Sequence, residues 1–508
     1  MQKSIKLIIL GLFVLVSFKS VAQSDTIPYH EPYRPQVHFS PAAHWMNDPN
    51  GMVYYNGIYH LFFQYYPGGT TWGPMHWGHA ESSDMIHWKQ LPTALYPDSL
   101  GYIFSGSAVV DSNNTSGFGK NGKIPLVAIF TSHDPKGERA GRNDFQNESL
   151  AYSLDNGTTW TKYSGNPVLK NPGIRDFRDP KVMWYAAEHK WIMTLATQDH
   201  TTFYSSPDLK TWSKESEFGK QLGAHGGVWE CPDLISLQLN GKKYWVLIVN
   251  VNPGGPNSGS ATQYFVGQFN GKTFTPIDNE IKWVDYGPDE YAGITWGNTG
   301  SRKIFLGWMS NWEYSGQVPT VKWRNAMTLP RDLKLKEVNG KILLASKPIS
   351  ELRSVYGKDY SFANINLSKP VTLSDKVGAI AGQYMLRLSI NQLKSYQIRL
   401  SNQQNEELLI GYDSQKKQYY IDRTKSGKVD FNKDFPGRFV APRFVNSSTS
   451  DITIVVDNSS VELFADDGLT VMSSVFFPNE PYHKLTLSSS ENATINSLRL
   501  VNLKAIWP

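Results

Sequence analysis

The chain has 508 residues, of which 40% are hydrophobic and 19% are charged, and its formal net charge is +5. This composition excludes a disordered protein, and the small charge excess without a Lys/Arg-rich block argues against a nucleic-acid partner. Aromatic residues make up 13% of the chain, a content that suits both β-sheet cores and surfaces that stack on sugars. The length predicts two domains.

The first 22 residues have the pattern of a signal peptide. Two lysines precede an apolar stretch at residues 7–18, and small residues end at Ala22. We expect cleavage after Ala22 and export to the periplasm or the medium. The stretch is shorter than the roughly 20 residues of a membrane-spanning helix, so no membrane anchor is expected in the mature protein. Cys231 is the only cysteine, which excludes an intramolecular disulfide.

The mature chain lacks sustained helical periodicity and consists of short apolar or alternating runs separated by Gly, Pro, Asn and Asp. This pattern predicts an all-β protein. The clearest strands are predicted at residues 103–110, 124–130, 190–197, 244–251 and 303–308.

A weak repeat in this region places Asp or Asn and a turn before an aromatic residue. The repeats end at Trp88, Trp160, Trp212 and Phe274, at intervals of roughly 60 residues, which suits propeller blades with long loops. We therefore predict a five-bladed β-propeller over residues 30–335. Recurrent hairpins in an unrelated β protein remain the alternative at this point.

The sequence pattern changes beyond about residue 340. Tryptophan is absent from there until Trp507, and apolar and polar residues alternate, for instance at residues 396–400 and 452–456. This alternation predicts a C-terminal antiparallel β-sandwich over residues 345–508. The connecting region contains Asn339-Gly340, a hairpin turn signal.

Three acidic residues lie just before a proline and a predicted strand. Asp48 and Asp179 directly precede proline, and Glu230 lies two residues before one. Taken singly, each has the pattern of a turn or strand-end residue. Taken together, three carboxylates on three different blades are expected to converge at the central axis of a propeller.

Paired carboxyl groups suit the cleavage of a glycosidic bond. One attacks the anomeric carbon, and the other, kept protonated, gives its proton to the leaving oxygen. A third carboxylate that accepts hydrogen bonds from sugar hydroxyls can stabilise the oxocarbenium-like transition state. The acid triad therefore points to glycoside hydrolysis.

The three acidic segments resemble the signature motifs of glycoside hydrolase family 32, the β-fructosidases, which include levanases, inulinases and invertases. The resemblance covers nearly all of the mature chain. Further segments that resemble family stretches in the expected order are residues 64–67, 72–79, 104–107, 308–312, 323–331 and 461–468.

The resemblance implies a retaining hydrolase that releases terminal fructose from levan or inulin, and from sucrose, through a covalent fructosyl-enzyme. It assigns Asp48 as the nucleophile, Glu230 as the general acid and base, and Asp179 as the stabiliser of the transition state. Retention predicts about 5 to 5.5 Å between the carboxyl groups of Asp48 and Glu230. The resemblance also implies substrate-binding roles for Trp45, Asn47, Gln64, Trp72, Ser107, Arg178, Trp308 and Trp312.

Other functions remain open at this point. A fructosyltransferase uses the same three acids, a sugar-binding protein would carry a dead centre, and a five-bladed arabinan-type hydrolase would invert the anomeric centre. The histidines at residues 60, 76, 79 and 87 lack an accompanying acidic ligand pattern, so no metal and no cofactor is expected. The preference among levan, inulin and sucrose, and the oligomeric state, do not follow from the sequence.

Overall fold

The computed structural model describes residues 29–378, 380 and 382–507, and nearly all of its regular structure is β-strand. The predicted signal peptide, residues 1–22, lies outside the described residues. Within them, no helix has the length and apolar character that crossing a membrane requires. The short helical segments are Pro135–Arg139, Ala186–Glu188, Ser350–Val355, Ser374–Val377 and Asp466–Gly468.

Five antiparallel sheets form the blades of a β-propeller, which confirms the predicted architecture. Blade I contains His44–Tyr55, Ile58–Tyr66, His76–Ser82 and Lys89–Leu95. Blade II contains Tyr102–Val110, Leu126–His133, Gln146–Ser153 and Thr161–Lys162. Blade III contains Phe177–Tyr185, Lys190–Thr197, His200–Ser206 and Ser213–Phe218.

The last two blades follow the same plan. Blade IV contains Val228–Leu239, Lys242–Asn252, Ala261–Phe269, Phe274–Pro276 and Lys282–Trp283. Blade V contains Tyr291–Thr295, Ile304–Met309, Ala326–Met327, Arg331–Val338 and Lys341–Pro348. The short strand Trp323–Arg324 pairs in parallel with the first strand of blade I, so the end of the ring is tied to its beginning.

The sequence repeat corresponds to one structural position. Asp84, Asp155, Asp208 and Asn270 each lie in the turn between the third and fourth strands of blades I to IV. In each turn the side-chain oxygen accepts hydrogen bonds from backbone N–H groups two to four residues further on. These Asx turns close the outer hairpin, which is why an acid or amide recurs before the aromatic residue.

In blade V the corresponding turn is Asn339-Gly340, with φ of 52° and 77°. Left-handed backbone at both residues is what a two-residue hairpin turn requires. The hairpin pairs Arg331–Val338 with Lys341–Pro348. This sheet therefore continues to Pro348. It extends past residue 335, the predicted end of the propeller, and past residue 345, the predicted start of the sandwich.

Two six-stranded antiparallel sheets form the predicted C-terminal β-sandwich. Their facing sides supply one apolar core that includes Leu386, Ile398, Ile454 and Leu463, all fully buried. The first sheet contains Tyr356–Asn366, Thr494–Leu503, Tyr384–Ile390, Ser450–Asp457, Ser460–Ala465 and Thr470–Val475. The second contains Val371–Thr372, Lys484–Ser488, Tyr396–Ser401, Glu407–Asp413, Gln418–Lys425 and Arg438–Pro442.

A buried network of charges joins the sandwich to the propeller. Arg331 of blade V donates to Glu462 at 2.6 Å and to Asp285 at 2.9 Å. His38 contacts Asp457 at 2.8 Å and Glu462 at 3.0 Å. All five side chains are fully buried. Since unpaired buried charges are costly, this network favours one relative placement of the two domains.

The network predicts a pH dependence of stability. Burial alone would lower the pKa of His38, but the hydrogen bonds that its ring donates to Asp457 and Glu462 raise it to about 9. Because this value exceeds that of an unfolded histidine, the stabilisation is complete below about pH 6.5 and is lost as the pH rises through 9. The difference corresponds to about 3 kcal/mol.

Urea unfolding of the wild type and of His38→Gln across pH 6 to 9.5 checks this expectation. The difference in unfolding free energy between the two proteins is expected to shrink as the pH rises. A difference that stays constant over this range would contradict the ion-pair role of His38.

Candidate active site

The three predicted acids lie on the first strands of three blades and meet at one point. Asp48 belongs to blade I, Asp179 to blade III and Glu230 to blade IV. The thiol of Cys231, which follows Glu230, lies 3.6 Å from a carboxylate oxygen of Asp48 and 3.6 Å from one of Asp179. The strands of a propeller thus bring together carboxyls that are up to 182 residues apart in sequence.

A β-bulge interrupts each of these strands at the acid. In blade I, Asn47 and Asp48 together oppose Gln64, and comparable register shifts occur at Asp179 and after Glu230. The following proline has no N–H to donate to the ladder, and bulges are among the few places in a sheet that accept it. A bulge also turns its side chains away from the regular alternation. The proline after each acid thus accounts for the bulge, and the position of the three strands as the first of their blades brings the acids together.

Asp48 is held by two donors. The Asn47 amide donates to one carboxylate oxygen at 2.9 Å, and the Ser105 hydroxyl donates to the other at 2.8 Å. Burial and the nearby charge of Glu230 raise the pKa of Asp48, whereas the Asn47 and Ser105 hydrogen bonds lower it. These donors therefore favour the charged carboxylate that a nucleophile needs.

Asp179 adopts left-handed backbone with φ of 65°, and it is 6% exposed. Its carboxylate accepts from the N–H of Cys231 at 3.0 Å, and its own N–H donates to Thr131 of blade II at 3.0 Å. Burial raises the pKa of Asp179 to about 7, with Glu230 and Asp48 adding to the increase against the opposing charge of Arg178. The neighbouring carboxyl groups thus oppose the ionisation of Asp179.

Both oxygens of Glu230 are occupied. Arg178 donates to one oxygen through Nε at 3.1 Å and through Nη2 at 3.0 Å, and the hydroxyl of Tyr291 donates to the other. Arg178 is itself tied to Asp176 at 2.7 Å. This arrangement fixes the orientation of the Glu230 carboxyl relative to Asp48.

Three further residues contact the acids without being predicted from the sequence: Tyr291, Ser105 and Thr131. Each contacts an acid on another blade, at a separation of 61, 57 and 48 residues respectively. Ser105 lies in a segment that resembles the family, but nothing in its neighbourhood distinguishes it from Ser107. No local pattern marks Tyr291 or Thr131.

Ser107, a predicted substrate-binding residue, contacts backbone groups of blade III. Its hydroxyl donates to the carbonyl of Pro180 at 2.9 Å and accepts from the N–H of Val182 at 3.0 Å. These contacts join blade II to the strand that carries Asp179. Ser105, two residues earlier, is the serine that touches an acid.

Three of the four predicted tryptophans form one aromatic cluster beside Asn47. The ring of Trp45 lies 6.3 Å from that of Trp308 and 5.9 Å from that of Trp312, and Trp308 and Trp312 are 4.9 Å apart. The Trp45 indole N–H donates to the Asn47 side chain at 2.8 Å. The cluster therefore supports the residue that holds Asp48.

The remaining predicted binding residues differ in exposure. Gln64 is 2% exposed, whereas Trp72 is 44% exposed and lies 6.1 Å from the ring of Phe104. Within the described part of the chain, Gln64 Nε2 and Trp308 Nε1 have no hydrogen-bond partner. Buried donors of this kind are free to bind a polar ligand.

The histidines noted in the sequence lie mainly in packing positions. His60 and His79 contact each other at 3.0 Å, and His79 stacks on Phe62 at 4.2 Å. Burial lowers the pKa of His79 to about 3, so it is neutral. No group of three His, Cys, Asp or Glu residues suited to a metal occurs among the described residues.

Removing the Ser105 hydroxyl is expected to lower catalytic activity most at low pH. Ser105→Ala deletes a donor to the charged form of Asp48, so the carboxylate protonates more readily. We expect kcat/KM to fall about tenfold on the acid side of the pH profile and to approach the wild-type value at high pH. The measurement is the pH dependence of initial rates, with Ser132→Ala as control because Ser132 bonds Ser149 instead of an acid. An equal loss at every pH would contradict this role.

Two family models match the chain. The glycosyl hydrolases family 32 N-terminal domain matches residues 38–348, and the family 32 C-terminal domain matches residues 351–504. Together they cover both the propeller and the sandwich.

Individual relatives agree with these matches. A levanase of Bacillus subtilis is 43% identical over 520 aligned residues, which cover 100% of this chain and 76% of the levanase. An extracellular exo-inulinase of Aspergillus ficuum is 41% identical, with 94% of this chain and 96% of the relative covered. The crystal structure of an exo-inulinase from Aspergillus awamori superposes with a TM-score of 0.87 at 38% identity, covering 95% of this chain and 100% of that one. The chain therefore belongs to glycosyl hydrolase family 32, and it is a glycosidase.

Proposed function

We propose that the protein is a retaining β-fructosidase that releases terminal fructose from levan or inulin and also cleaves sucrose. The observation that carries this proposal is the meeting of Asp48, Asp179 and Glu230 from three blades around Cys231. The levanase and exo-inulinase names of its relatives support the substrate class. We further propose export after cleavage near Ala22, as the extracellular location of the exo-inulinase suggests.

In the first step, a carboxylate oxygen of Asp48 attacks the anomeric carbon of the terminal fructosyl unit. The bond from that carbon to the leaving oxygen breaks, and Glu230 gives this oxygen a proton. The product is a fructosyl ester of Asp48. Asp179 accepts hydrogen bonds from fructose hydroxyls and stabilises the positive charge that develops on the ring.

In the second step, water attacks the same carbon while Glu230 takes up a proton from this water. The ester bond to Asp48 breaks, and fructose leaves with the anomeric configuration of the substrate. Two inversions give net retention, which requires Asp48 and Glu230 on opposite sides of the bond at the predicted separation of about 5 to 5.5 Å.

The substrate-binding set has matching roles in this proposal. Asn47 and Gln64 offer amide groups to fructose hydroxyls. The half-buried Trp312 forms the apolar wall of the pocket, and the fully buried Trp45 and Trp308 support it from the core. Trp72 lies at the rim, and Arg178 binds substrate while it orients Glu230. Ser107 acts indirectly, because its hydroxyl holds the Asp179 strand.

Product analysis tests the proposal. Purified mature protein is incubated separately with levan, inulin and sucrose, beside an Asp48→Ala control, and the products are separated by chromatography. Free fructose as the sole early product, absent from the control, is expected. A ladder of oligosaccharides would indicate internal cleavage, longer chains built from sucrose would indicate transfer, and no product from any substrate would reject the proposal.

A further inference from the structure

Two exposed aromatic side chains distinguish blade I from the rest of the described surface. Trp72 is 44% exposed and Tyr96 is 55% exposed, whereas the other large hydrophobic side chains in this exposure range are aliphatic. Trp72 lies in the loop after Ile58–Tyr66, and Tyr96 directly follows Lys89–Leu95. Exposed aromatic groups beside a catalytic cleft often mark a binding surface.

The strand register places both residues on the edge of blade I that carries Asp48. Trp45 pairs with Tyr66 on the second strand, Tyr65 pairs with His76 on the third, and Trp77 pairs with Leu95 on the fourth. This row runs from the catalytic strand to the outside of the blade. With about 4.8 Å between neighbouring strands, Tyr96 lies about 14 Å out from the strand of Asp48.

Aromatic rings line this edge, and we call them the aromatic rim. The ring of Trp72 is 6.1 Å from Phe104 and 6.5 Å from Tyr102, both at the start of blade II. The ring of His76 meets Tyr96 edge-on at 5.5 Å. The rim consists of Trp72, His76, Tyr96, Tyr102 and Phe104.

The outer end of the rim is fixed in place. Lys162 of blade II donates to the carbonyl of Tyr96 and to Asp98, the latter at 2.6 Å. Asp98 and Gly101 exchange backbone hydrogen bonds at 3.1 Å. Because this segment is already ordered, a ligand that stacks on Tyr96 loses little affinity to ordering of the protein.

We propose that the aromatic rim binds the fructosyl units of a polymeric chain that lie beyond the bond to be cleaved. This inference rests on the proposed function and names a long fructan as the substrate that profits from it. An enzyme that acts on the chain end buries the terminal unit beside Asp48, and the rest of the chain must leave across the edge of the cleft. The rim offers this chain flat apolar faces and the Tyr96 hydroxyl. Sucrose is too short to reach Tyr96.

Kinetics of Tyr96→Ala with long-chain fructan and with sucrose test the inference. We expect kcat/KM for the fructan to fall about threefold to tenfold, as for the loss of one aromatic contact, while the value for sucrose changes less than twofold. Tyr96→Trp is expected to retain the wild-type preference for fructan. Ile277→Ala is the matched control, since Ile277 is 43% exposed on blade IV.

Affinity electrophoresis in gels that contain levan or inulin gives a second readout that needs no turnover. Retardation of the wild type, weakened in Tyr96→Ala and unchanged in Ile277→Ala, would support the rim. Equal losses of kcat/KM on fructan and sucrose, or no loss on either, would overturn the inference. A change in the oligomeric state of Tyr96→Ala without a change in substrate preference would also overturn it. If the wild type cleaved neither substrate, the proposed function would fail, and the gels would still test the rim.

Discussion

Replacing Asp48 with asparagine is expected to lower kcat on fructan and on sucrose by at least about 10⁴-fold. Asparagine has nearly the same shape and keeps an oxygen that can accept from Ser105 or Asn47. It lacks the charged carboxylate, so no stable fructosyl ester can form. The loss therefore reports the chemistry of the nucleophile and not a collapse of the site.

Initial rates with both substrates, together with circular dichroism and thermal unfolding, check this expectation. Asp84→Asn is the matched control, because Asp84 lies in a turn of the same blade and asparagine retains the oxygen that accepts from the N–H groups of Ile86 and His87. The substitution removes only the contact of the other oxygen with the exposed His87 ring. This control is expected to keep nearly full activity. Residual activity of Asp48→Asn within about a hundredfold of the wild type would place the attacking group elsewhere.

Trapping adds a positive test of the same role. A Glu230→Gln variant cannot activate water well, so the fructosyl-enzyme is expected to accumulate with a substrate whose leaving group needs little protonation. Mass spectrometry of peptides from the quenched enzyme would then find the added fructosyl group on Asp48. Its presence on another residue would contradict the assignment.

Much of the architecture follows from local patterns in the sequence. The turns at Asp84, Asp155, Asp208 and Asn270 recur because each closes the same outer hairpin, and their spacing predicts the blades. The strands also follow from apolar runs, since the predicted 190–197 is observed as Lys190–Thr197. These features depend on residues close in the chain, where periodicity and turn chemistry are informative.

The contacts that complete the site depend on blades that meet only in the folded ring. Ser105 and Ser107 are alike in sequence, yet one touches Asp48 and the other joins the backbone of a neighbouring blade. The position of Tyr291 beside Glu230 follows from the arrangement of blades IV and V. A single sequence does not show which distant residues are in contact, so the roles of these residues are visible only in the structure.

The contacts between the two domains also join residues that are distant in the sequence. Replacing one of these residues, Arg331, gives the second large expected effect. Arg331 lies in a segment that resembles the family, but its partners Glu462 and Asp285 are 131 and 46 residues away. Replacing Arg331 with methionine keeps much of the apolar side chain, but it removes the arginine that pairs with buried Asp285 and leaves buried Glu462 with His38 as its charged partner. The expected cost is about 3 to 5 kcal/mol of unfolding free energy, a large share of the stability of a typical protein.

Arg302 provides the matched control for this effect. It pairs with Asp332 and Glu351 on the same blade, but it is 33% exposed, so water screens the pair and Arg302→Met should cost at most about 1 kcal/mol. Urea unfolding of both variants measures the contrast. Where Arg331→Met yields too little folded protein, Glu462→Gln gives a milder test, because it removes one buried charge and keeps an acceptor for Arg331. Equal stability of the Arg331 and Arg302 variants would show that the buried network contributes no more than a surface pair. The placement of the sandwich against the propeller would then depend on apolar packing and on other polar contacts, such as that of Arg423 with Asp289.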